Sequence, residues 1–458
     1  MKIVILGAGQ VGSSVARSLA KEQYDVVVID TDTEALDSLS QHLDLQTVVG
    51  HASHPDVLRQ AGLDSADLLV AVTNSDETNI VACEIAHHLF HVPKKIARIR
   101  SRAYLRHKEA LFHYDAFPVD VVISPEQVVK DYIVRLIEHP GALQVLDFAD
   151  GKVQLVAVRA YYGGPMVGHA ISELKQHMPT VDTRVAAIFR RGHPIQPKGD
   201  TVIEAEDEVF FLATPHHIQN VMRELQRLEH PYRSIMIAGG GHVGAGLAMT
   251  LKHSHQVKLI EHSVHRVAAL AEMLGDTVVL CGDATDQELL RAENIEQMDV
   301  FIAVTNNDAV NILSAMLAKR LGARKTMALI NHTEYSDLIH EGDIDVTFSP
   351  RQTTVGSLLT HIRRGDVACV YSLRKEAAEA IETVVHGDET TSKVVGKRID
   401  EVPLPPGTTI GAIVRGDTVL MAHDNIVIQS GDHVILFIVE KSVVQEVEAL
   451  FQVDATFV

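Results

Sequence analysis

Apolar runs rich in valine and isoleucine alternate along the chain with stretches in which hydrophobic residues follow a helical period. The run Lys2 to Leu6 is followed by the helical pattern Val11 to Lys21 and then by a second run, Asp25 to Asp30. The alternation continues with helical patterns at 33–42 and 54–61 and apolar runs at 46–49 and 68–73. Strands and helices that alternate in this way predict a parallel sheet with crossover helices on its faces.

A different pattern follows this first region. The segments 152–158, 186–189 and 209–213 are apolar or alternating and lie between turn signals, with few helical patterns among them. Their counterparts in the second half are expected at 368–372, 410–414 and 433–439. Each group predicts a small β-rich domain with one or two helices.

The chain is an internal duplication. Residues 3–12 return as 235–244, residues 48–53 as 280–285 and residues 71–76 as 303–308, always 232 positions later (Gly7 to Gly239). Residues 122–125 match 347–350 and residues 187–192 match 412–417, each 225 positions later (Pro125 to Pro350). A repeat of this length copies a whole two-domain unit. The sequence therefore predicts an α/β protein with doubly wound, Rossmann-like parallel-sheet domains at 1–123 and 232–348, followed by small α+β domains at 140–228 and 366–453.

The first repeat carries a glycine fingerprint directly after a strand and at the start of a helix. Gly7 permits a tight turn, Gly9 lets the backbone approach a pyrophosphate, and Gly12 brings helix and strand together. Asp30 closes the next strand and would accept hydrogen bonds from an adenosine ribose, while its charge would repel a 2′-phosphate and favour NAD over NADP. The alternative is tight packing of helix on strand without a ligand. The predicted site residues of this loop are Gly7, Ala8, Gly9, Gln10, Val11, Gly12 and Asp30.

The second repeat offers the same geometry with a longer carboxylate. Its predicted site residues are Gly239, Gly240, Gly241, His242, Val243, Gly244 and Glu261. Thr73 and Asn74, with their counterparts Thr305 and Asn306, stand between a strand and a helix, where they either touch the nucleotide or cap the helix. Arg98 in the first half is replaced by leucine in the second, so the two sites need not share a ligand.

The composition is that of an ordered, acidic protein. The 458 residues are 46% hydrophobic and 22% charged, and the formal net charge is −19. This charge repels phosphate backbones, so we predict no nucleic-acid partner. The apolar runs fall far below the roughly 20 residues of a membrane span, and the first of them stops at a glycine loop instead of extending into a signal peptide. We expect a soluble, cytoplasmic chain with buried, unpaired cysteines, because its 3 cysteines form no CxxC pair.

Histidine is frequent, with 26 copies, and three pairs (51 and 54, 87 and 88, 216 and 217) raise the question of a metal. The first pair aligns with Asp283 and Asp286 in the second half, and no clustered third ligand is evident. Solvated or capping histidines are the preferred interpretation, and no metal site is predicted.

No catalytic residue is predicted either. A dehydrogenase needs an acid or base in a substrate domain, and the small β-rich domains offer no motif for one. An NAD-dependent oxidoreductase is the alternative from another class, since the glycine fingerprint fits it. A scaffold whose glycine loops bind nothing is a third hypothesis.

These segments, taken together, resemble one known family over the whole chain. The resemblance is carried by the glycine loop 7–12, by the segments 50–58, 71–79, 97–100 and 141–145, and by the order of the four domains. The chain is similar to the TrkA family, the cytoplasmic nucleotide-binding regulators of bacterial Trk potassium uptake systems, which are built from tandem RCK (KTN) domains.

The resemblance implies a regulator that has no chemistry of its own. It implies RCK-N domains that bind NAD(H), with responses to ATP and ADP, and a tetrameric homo-oligomeric ring at the inner face of the membrane, beneath a potassium-translocating Trk subunit. The family's NAD-contacting positions map onto the loop 7–11, Asp30, Thr73, Asn74 and Arg98. In the second half they map onto the loop 239–243, Glu261, Thr305 and Asn306, with no equivalent of the arginine.

Overall fold

The computed structural model of the chain describes residues 1–22, 24–225, 230–332, 335, 339, 342–362, 367–373, 377–422, 425–439 and 443–453. These residues form two parallel six-stranded sheets and two five-stranded antiparallel sheets, so the predicted duplicated α/β architecture is confirmed. The predicted domain limits at residues 228 and 366 lie outside the described residues.

The first parallel sheet has the strand order 3-2-1-4-5-6 of a doubly wound nucleotide-binding fold. Its strands are β1 (Lys2–Leu6), β2 (Asp25–Asp30), β3 (Gln46–Val49), β4 (Leu68–Ala71), β5 (Lys94–Arg98) and β6 (Val121–Ile123). Its helices are α1 (Gln10–Lys21), α2 (Thr33–Ser40), α3 (Pro55–Gln60), α4 (Asp76–His88), α5 (Arg102–Arg106) and α6 (Lys108–Leu111), with a 3-10 helix at Leu63–Ser65. The central strands are buried on both faces, which explains their continuous apolar runs.

The first antiparallel sheet follows helix α7 (Pro125–Glu138) and has the order β10-β9-β11-β8-β7. Its strands are β7 (Gln144–Phe148), β8 (Val153–Arg159), β9 (Thr183–Arg190), β10 (His193–Ile195) and β11 (Glu208–Ala213). It carries the short helices α8 (Leu174–His177) and α9 (Ile218–Leu225), with 3-10 helices at Ile171–Glu173 and Pro215–His217.

The second parallel sheet repeats the order of the first. Its strands are β12 (Ser234–Ala238), β13 (Gln256–Glu261), β14 (Val278–Cys281), β15 (Val300–Ala303), β16 (Lys325–Leu329) and β17 (Val346–Phe348). Its helices are α10 (His242–Leu251), α11 (Val264–Leu274), α12 (Gln287–Ala292) and α13 (Asp308–Arg320), with a 3-10 helix at Ile295–Gln297.

The second antiparallel sheet follows helix α14 (Pro350–Ile362) and has the order β18-β19-β22-β20-β21. Its strands are β18 (Val367–Leu373), β19 (Ala378–Val384), β20 (Thr408–Arg415), β21 (Thr418–Met421) and β22 (His433–Ile438), with a 3-10 helix at Ile399–Glu401 and helix α15 (Val444–Phe451). This order is the first sheet's order in reverse, so β19 is the counterpart of β8. The sequence comparison wrongly matched the segment 152–158 with 368–372, because apolar content does not distinguish the edge strand β18 from the inner strand β19.

The chain divides into two compact units, Met1–Pro125 with Arg351–Tyr371 and Glu126–Pro350 with Ser372–Val458. In the first unit, Leu358, Leu359 and Ile362 of α14 join the core beneath the first parallel sheet. In the second unit, Ile133 and Leu136 of α7 join the core of the second parallel sheet. Each helix that follows one parallel sheet therefore packs against the other, an exchange that the hydrophobic pattern alone does not predict.

Across the described residues, helices that combine the length and the apolar character needed to traverse a lipid bilayer are absent.

Candidate functional site

The glycine loop of the first parallel sheet joins the end of β1 to the start of α1. Gly7 has φ +105°, and a Cβ at Gly12 would lie 1.8 Å from the Gly7 carbonyl oxygen. Packing therefore requires both of these glycines. Among the described residues, no atom beyond Gly9 and its two chain neighbours lies within 4 Å of the position that a Cβ would take there, so packing gives no reason for that glycine. The loop leaves open space at the amino end of α1, where unsatisfied N–H groups and the helix dipole attract phosphate.

The second loop repeats this arrangement. Gly239 has φ +107°, a Cβ at Gly244 would lie 1.9 Å from the Gly239 carbonyl oxygen, and Gly241 again faces open space. Gln10 and His242, the residues that begin α1 and α10, are both exposed. Tight packing without a ligand thus accounts for two glycines of each fingerprint and leaves the middle one unexplained.

Asp30 stands at the end of β2 with its carboxylate beside the first loop. Its Oδ2 accepts a hydrogen bond from the Ala8 N–H at 2.5 Å, and its Oδ1 accepts one from the Asp32 N–H at 3.0 Å. These bonds fix the orientation of the carboxylate. Each carboxylate oxygen has two acceptor positions, so the side chain retains capacity for ribose hydroxyls.

Glu261 occupies the same place at the end of β13 and is buried. Its Oε2 accepts from the Gly240 N–H at 3.0 Å, and its Oε1 accepts from the Ser263 N–H at 2.9 Å. Burial opposes the charge of Glu261, but these two N–H groups, with Arg266 and His262 nearby, outweigh it and hold the pKa of the carboxyl below its usual value. Glu261 is therefore an ionised acceptor at neutral pH.

A buried asparagine that sequence reasoning did not single out organises the ends of β4 and β5. Asn79 accepts hydrogen bonds through Oδ1 from the N–H and the hydroxyl of Thr73, at 3.0 and 2.7 Å, and donates to the carbonyl of Arg98 at 2.9 Å. The Arg98 guanidinium in turn donates to the Thr73 carbonyl at 2.9 Å. The predicted residues Thr73 and Arg98 thus lie side by side at the carboxyl edge of the sheet.

The second half keeps the asparagine but not the arginine. Asn311 accepts from the N–H and hydroxyl of Thr305 at 2.8 and 2.6 Å and donates to the carbonyl of Leu329 at 2.9 Å. Leu329 is buried at the position that Arg98 holds in the first half. The signal for these asparagines was present in the sequence, since Asn79 returns as Asn311 at the repeat distance.

Helix capping does not explain the threonine and asparagine that precede α4 and α13. The cap of α4 is Ser75, whose hydroxyl accepts from the Thr78 N–H at 3.1 Å, and the cap of α13 is Asn307. Asn74 and Asn306 are exposed beside these caps. Of the two alternatives left open by the sequence, the capping role is therefore wrong.

The two sites differ most in the charge of the segment that runs from the end of the second strand of each parallel sheet into the next helix, here called the edge of the site. Residues 30–35 of the first site read Asp-Thr-Asp-Thr-Glu-Ala, and residues 261–266 of the second read Glu-His-Ser-Val-His-Arg. The Arg266 guanidinium donates to the Gly240 carbonyl at 2.6 Å, which places a cation beside the second loop. The first edge is acidic and repels further anionic groups, whereas the second is able to attract them.

Two domain families match the chain, each of them twice. The TrkA-N domain matches residues 3–125 and 235–350, and the TrkA-C domain matches residues 155–226 and 389–452. Among solved structures, the GsuK RCK domain superposes with a TM-score of 0.61 over 98% of this chain and 95% of its own, at 19% identity. The GsuK channel gives a TM-score of 0.62 over 96% of this chain and 77% of its own, also at 19% identity. These likenesses show the fold.

Curated relatives match from end to end. The Trk system potassium uptake protein TrkA of Vibrio alginolyticus is 60% identical over 457 residues, and that of Halomonas elongata is 59% identical over 457 residues, with 100% of each chain covered. The protein of the same name from Haemophilus influenzae is 49% identical over 458 residues, again with 100% of both chains covered. With this identity along its whole length and with both domain families present twice, the chain belongs to the TrkA family of Trk system potassium uptake proteins.

Proposed function

We propose that this protein is the nucleotide-binding regulatory subunit of a potassium uptake system. The observation that carries the proposal is the open space at Gly9 and Gly241, each beside a helix amino end and an oriented carboxylate. A phosphate chain fits the loop and the helix dipole, and a ribose fits Asp30 or Glu261. The names of the relatives supply the transport process that the nucleotide regulates.

The residues proposed to contact nucleotide are those of the two loops, the two strand-end carboxylates and the strand-end groups at Thr73, Asn74, Arg98, Thr305 and Asn306. The acidic edge of the first site favours NAD(H), whose adenosine ribose carries no 2′-phosphate. The edge of the second site, which places the Arg266 cation beside the loop, accepts nucleotides with more negative charge, such as ATP and ADP. In this proposal the nucleotide is a signal and not a reactant, so the protein is not an enzyme.

Binding regulates transport only if the nucleotide prefers one arrangement of the domains over another. We propose that the nucleotide domains 1–123 and 232–348 and the domains 140–228 and 366–453 form a homo-oligomeric ring, with four chains, beneath the potassium-translocating Trk subunit. The chain then works in the cytoplasm, held at the membrane by that partner. When the nucleotide shifts the ring to its preferred arrangement, the ring moves the part of the Trk subunit that it contacts, and this movement opens or closes the potassium pathway.

Potassium uptake in cells lacking the gene tests the proposal. The cells are rescued with the intact chain, with the double variant Asp30→Ala, Glu261→Ala, or with a matched control, Asp64→Ala, Glu296→Ala. The control removes the same number of carboxylates from exposed, repeat-related positions that precede β4 and β15, at the opposite edge of each sheet. Calorimetric titration of the purified chains with NADH and with ATP accompanies the uptake assay.

The intact chain and the control are expected to restore uptake and to bind nucleotide, and the site variant to do neither. Loss of nucleotide binding with uptake fully retained would refute regulation by these sites. Normal uptake in cells without the gene, in a strain with no second copy, would refute the transport function itself.

A further inference from the structure

A cluster of metal-ligating side chains lies in the first antiparallel-sheet domain, a different domain from those that carry the glycine loops. Ligand atoms of His169, Glu173 and His177 all lie within 4.8 Å of one another, and they form the one such group of three found among the described residues. The three residues recur at intervals of four through the 3-10 helix Ile171–Glu173 and helix α8. The histidine pairs at 51 and 54, 87 and 88, and 216 and 217 are not part of this cluster.

Each imidazole of the cluster has a carboxylate beside it. Nδ1 of His169 lies 2.9 Å from Oε2 of Glu173, and Nδ1 of His177 lies 3.2 Å from Oε2 of Glu224 on α9. The two imidazole rings are 5.4 Å apart between centroids. A carboxylate outside the ligand set that orients a metal-binding imidazole is usual, and Glu224 has this place beside His177, whereas Glu173 is itself a candidate ligand.

Backbone hydrogen bonds hold the contributing segments together. The His169 carbonyl accepts from the Ile203 N–H at 3.1 Å, and the N–H of Gly168 donates to the Ile203 carbonyl at 2.7 Å. The Glu224 carbonyl accepts from the Met166 N–H at 2.9 Å. The residues that precede the cluster are therefore tied both to the 201–203 segment and to α9, which fixes where the side chains start.

The second antiparallel domain provides an internal comparison. Glu173 accepts from the Ala170 N–H at 3.1 Å, and Glu401 accepts from the Arg398 N–H at 2.9 Å, so both 3-10 helices have the same glutamate cap. In this alignment His169 corresponds to Lys397 and His177 to Pro405. The fold thus keeps the capping glutamate without the histidines, and folding alone does not explain why the first domain has them.

We propose that His169, Glu173 and His177, with Glu224 beside them, form a binding site for a divalent transition metal of the zinc type. Two imidazoles with one or two carboxylates are a donor set that Zn²⁺ prefers. Ligand atoms around a tetrahedral zinc lie about 3.4 Å apart at bond lengths near 2.1 Å. The side chains of the three residues are 47%, 39% and 27% exposed, so they have room to rotate inward to that spacing.

A bound metal would join the segment 169–177 to α9 and so brace one edge of this domain. Exposed side chains also leave a coordination position to water, which makes the site accessible to free metal. None of these residues belongs to a glycine loop, so metal binding here is expected to be independent of nucleotide binding.

Calorimetric titration of the untagged full chain with Zn²⁺, after removal of metal by a chelator, tests the site. Co²⁺ absorption then reports the coordination geometry, since a tetrahedral site gives intense visible bands and hydrated Co²⁺ does not. The variants are His169→Ala with His177→Ala, and Glu173→Gln, which removes the charged ligand but preserves the cap, because glutamine also caps at this position. The matched control is His216→Ala, an exposed histidine of the same domain.

The expected result is one Zn²⁺ per intact chain, with affinity reduced at least 10-fold in the double histidine variant and in Glu173→Gln and unchanged in His216→Ala. NADH titration of every variant should match the intact chain, which separates failure of this site from failure of the nucleotide sites. Equal Zn²⁺ affinity in the intact chain and the double variant, or a Co²⁺ spectrum of the hydrated ion alone, would overturn the proposal.

Discussion

Replacing Gly9 by aspartate tests the phosphate role of the first loop without disturbing its packing. A Cβ at this position meets no atom within 4 Å in the described part of the chain, its two neighbours in sequence aside. The backbone, at φ −67° and ψ −174°, is extended and open to any residue. Gly9 is the N-cap of α1, so no side chain at this position caps the free N–H groups of the helix. Aspartate is among the preferred N-cap residues, so Gly9→Asp should leave the free energy of unfolding unchanged or raise it by a few tenths of a kcal/mol.

The same carboxylate should abolish binding of a phosphate chain. It occupies the N–H groups that would bind the phosphate and brings a negative charge to within about 4 Å of it. At an effective dielectric constant of about 20, that repulsion amounts to about 4 kcal/mol, which weakens binding about 1,000-fold. Stability and affinity are therefore predicted to move independently, a result that general destabilisation of the domain cannot produce.

Binding is measured through the fluorescence of NADH itself, with calorimetry for ATP and ADP. The chain contains 0 tryptophan residues, so a tryptophan signal is not available. Gly241→Asp is the matched variant of the second loop, because its Cβ also faces open space. Comparing the two variants assigns each measured affinity to one loop.

Unchanged NADH affinity in both variants, with a melting temperature equal to that of the intact chain, would refute the reasoning. It would show that the phosphate chain does not lie on either loop. A lower melting temperature together with lost binding would instead refute the claim that Gly9 is free of packing constraints.

Three further predictions follow from packing and charge. Gly12→Ala should cost about 1–3 kcal/mol of stability, seen as a lower thermal midpoint, because its Cβ would lie 1.8 Å from the Gly7 carbonyl oxygen. Arg190→Met should lower the free energy of unfolding, measured by urea denaturation, by about 3–5 kcal/mol. It removes the guanidinium whose two nitrogens donate to the fully buried Asp207 carboxylate at 2.8 and 2.9 Å. Glu261→Gln should be less stable than the intact chain at pH 7, and urea denaturation as a function of pH should show the difference disappearing in acid. The folded pKa of Glu261 lies below its ordinary value of 4.5, so the stability it contributes is complete above pH 4.5 and is lost as pH falls through the folded pKa.

Much of each parallel-sheet domain was predictable from local pattern. The strands Lys2–Leu6, Asp25–Asp30 and Gln46–Val49 were predicted with the bounds that the structure gives. They are short, apolar and bounded by turn residues, and burial on both faces leaves a continuous hydrophobic run that is easy to recognise. Helix ends were less accurate, because the last turn of a helix depends on capping contacts that the hydrophobic period does not encode.

The packing of two helices was missed because it depends on contacts distant in sequence. The segments 124–139 and 349–365 fell between the predicted domains, yet α7 and α14 each complete the core of a parallel sheet from the other half. Their apolar faces were visible, but the choice between two duplicated sheets of similar surface is tertiary. The cluster of His169, Glu173 and His177 is local in sequence and was missed for another reason, since no helix was predicted there to bring residues four apart onto one face.

The duplication itself makes the functional argument stronger than a single fingerprint would. Gly7 and Gly12 repeat as Gly239 and Gly244 because the same packing must be satisfied twice. Packing makes no such demand at Gly9, and yet the glycine recurs as Gly241. The edge sequences at 30–35 and 261–266 meanwhile diverged, from three carboxylates without a cation to one carboxylate with Arg266. A repeat that preserves the phosphate cradle and changes the charge around the ribose is what two nucleotide sites with different ligands require, whereas two unused loops would be free to lose the middle glycine.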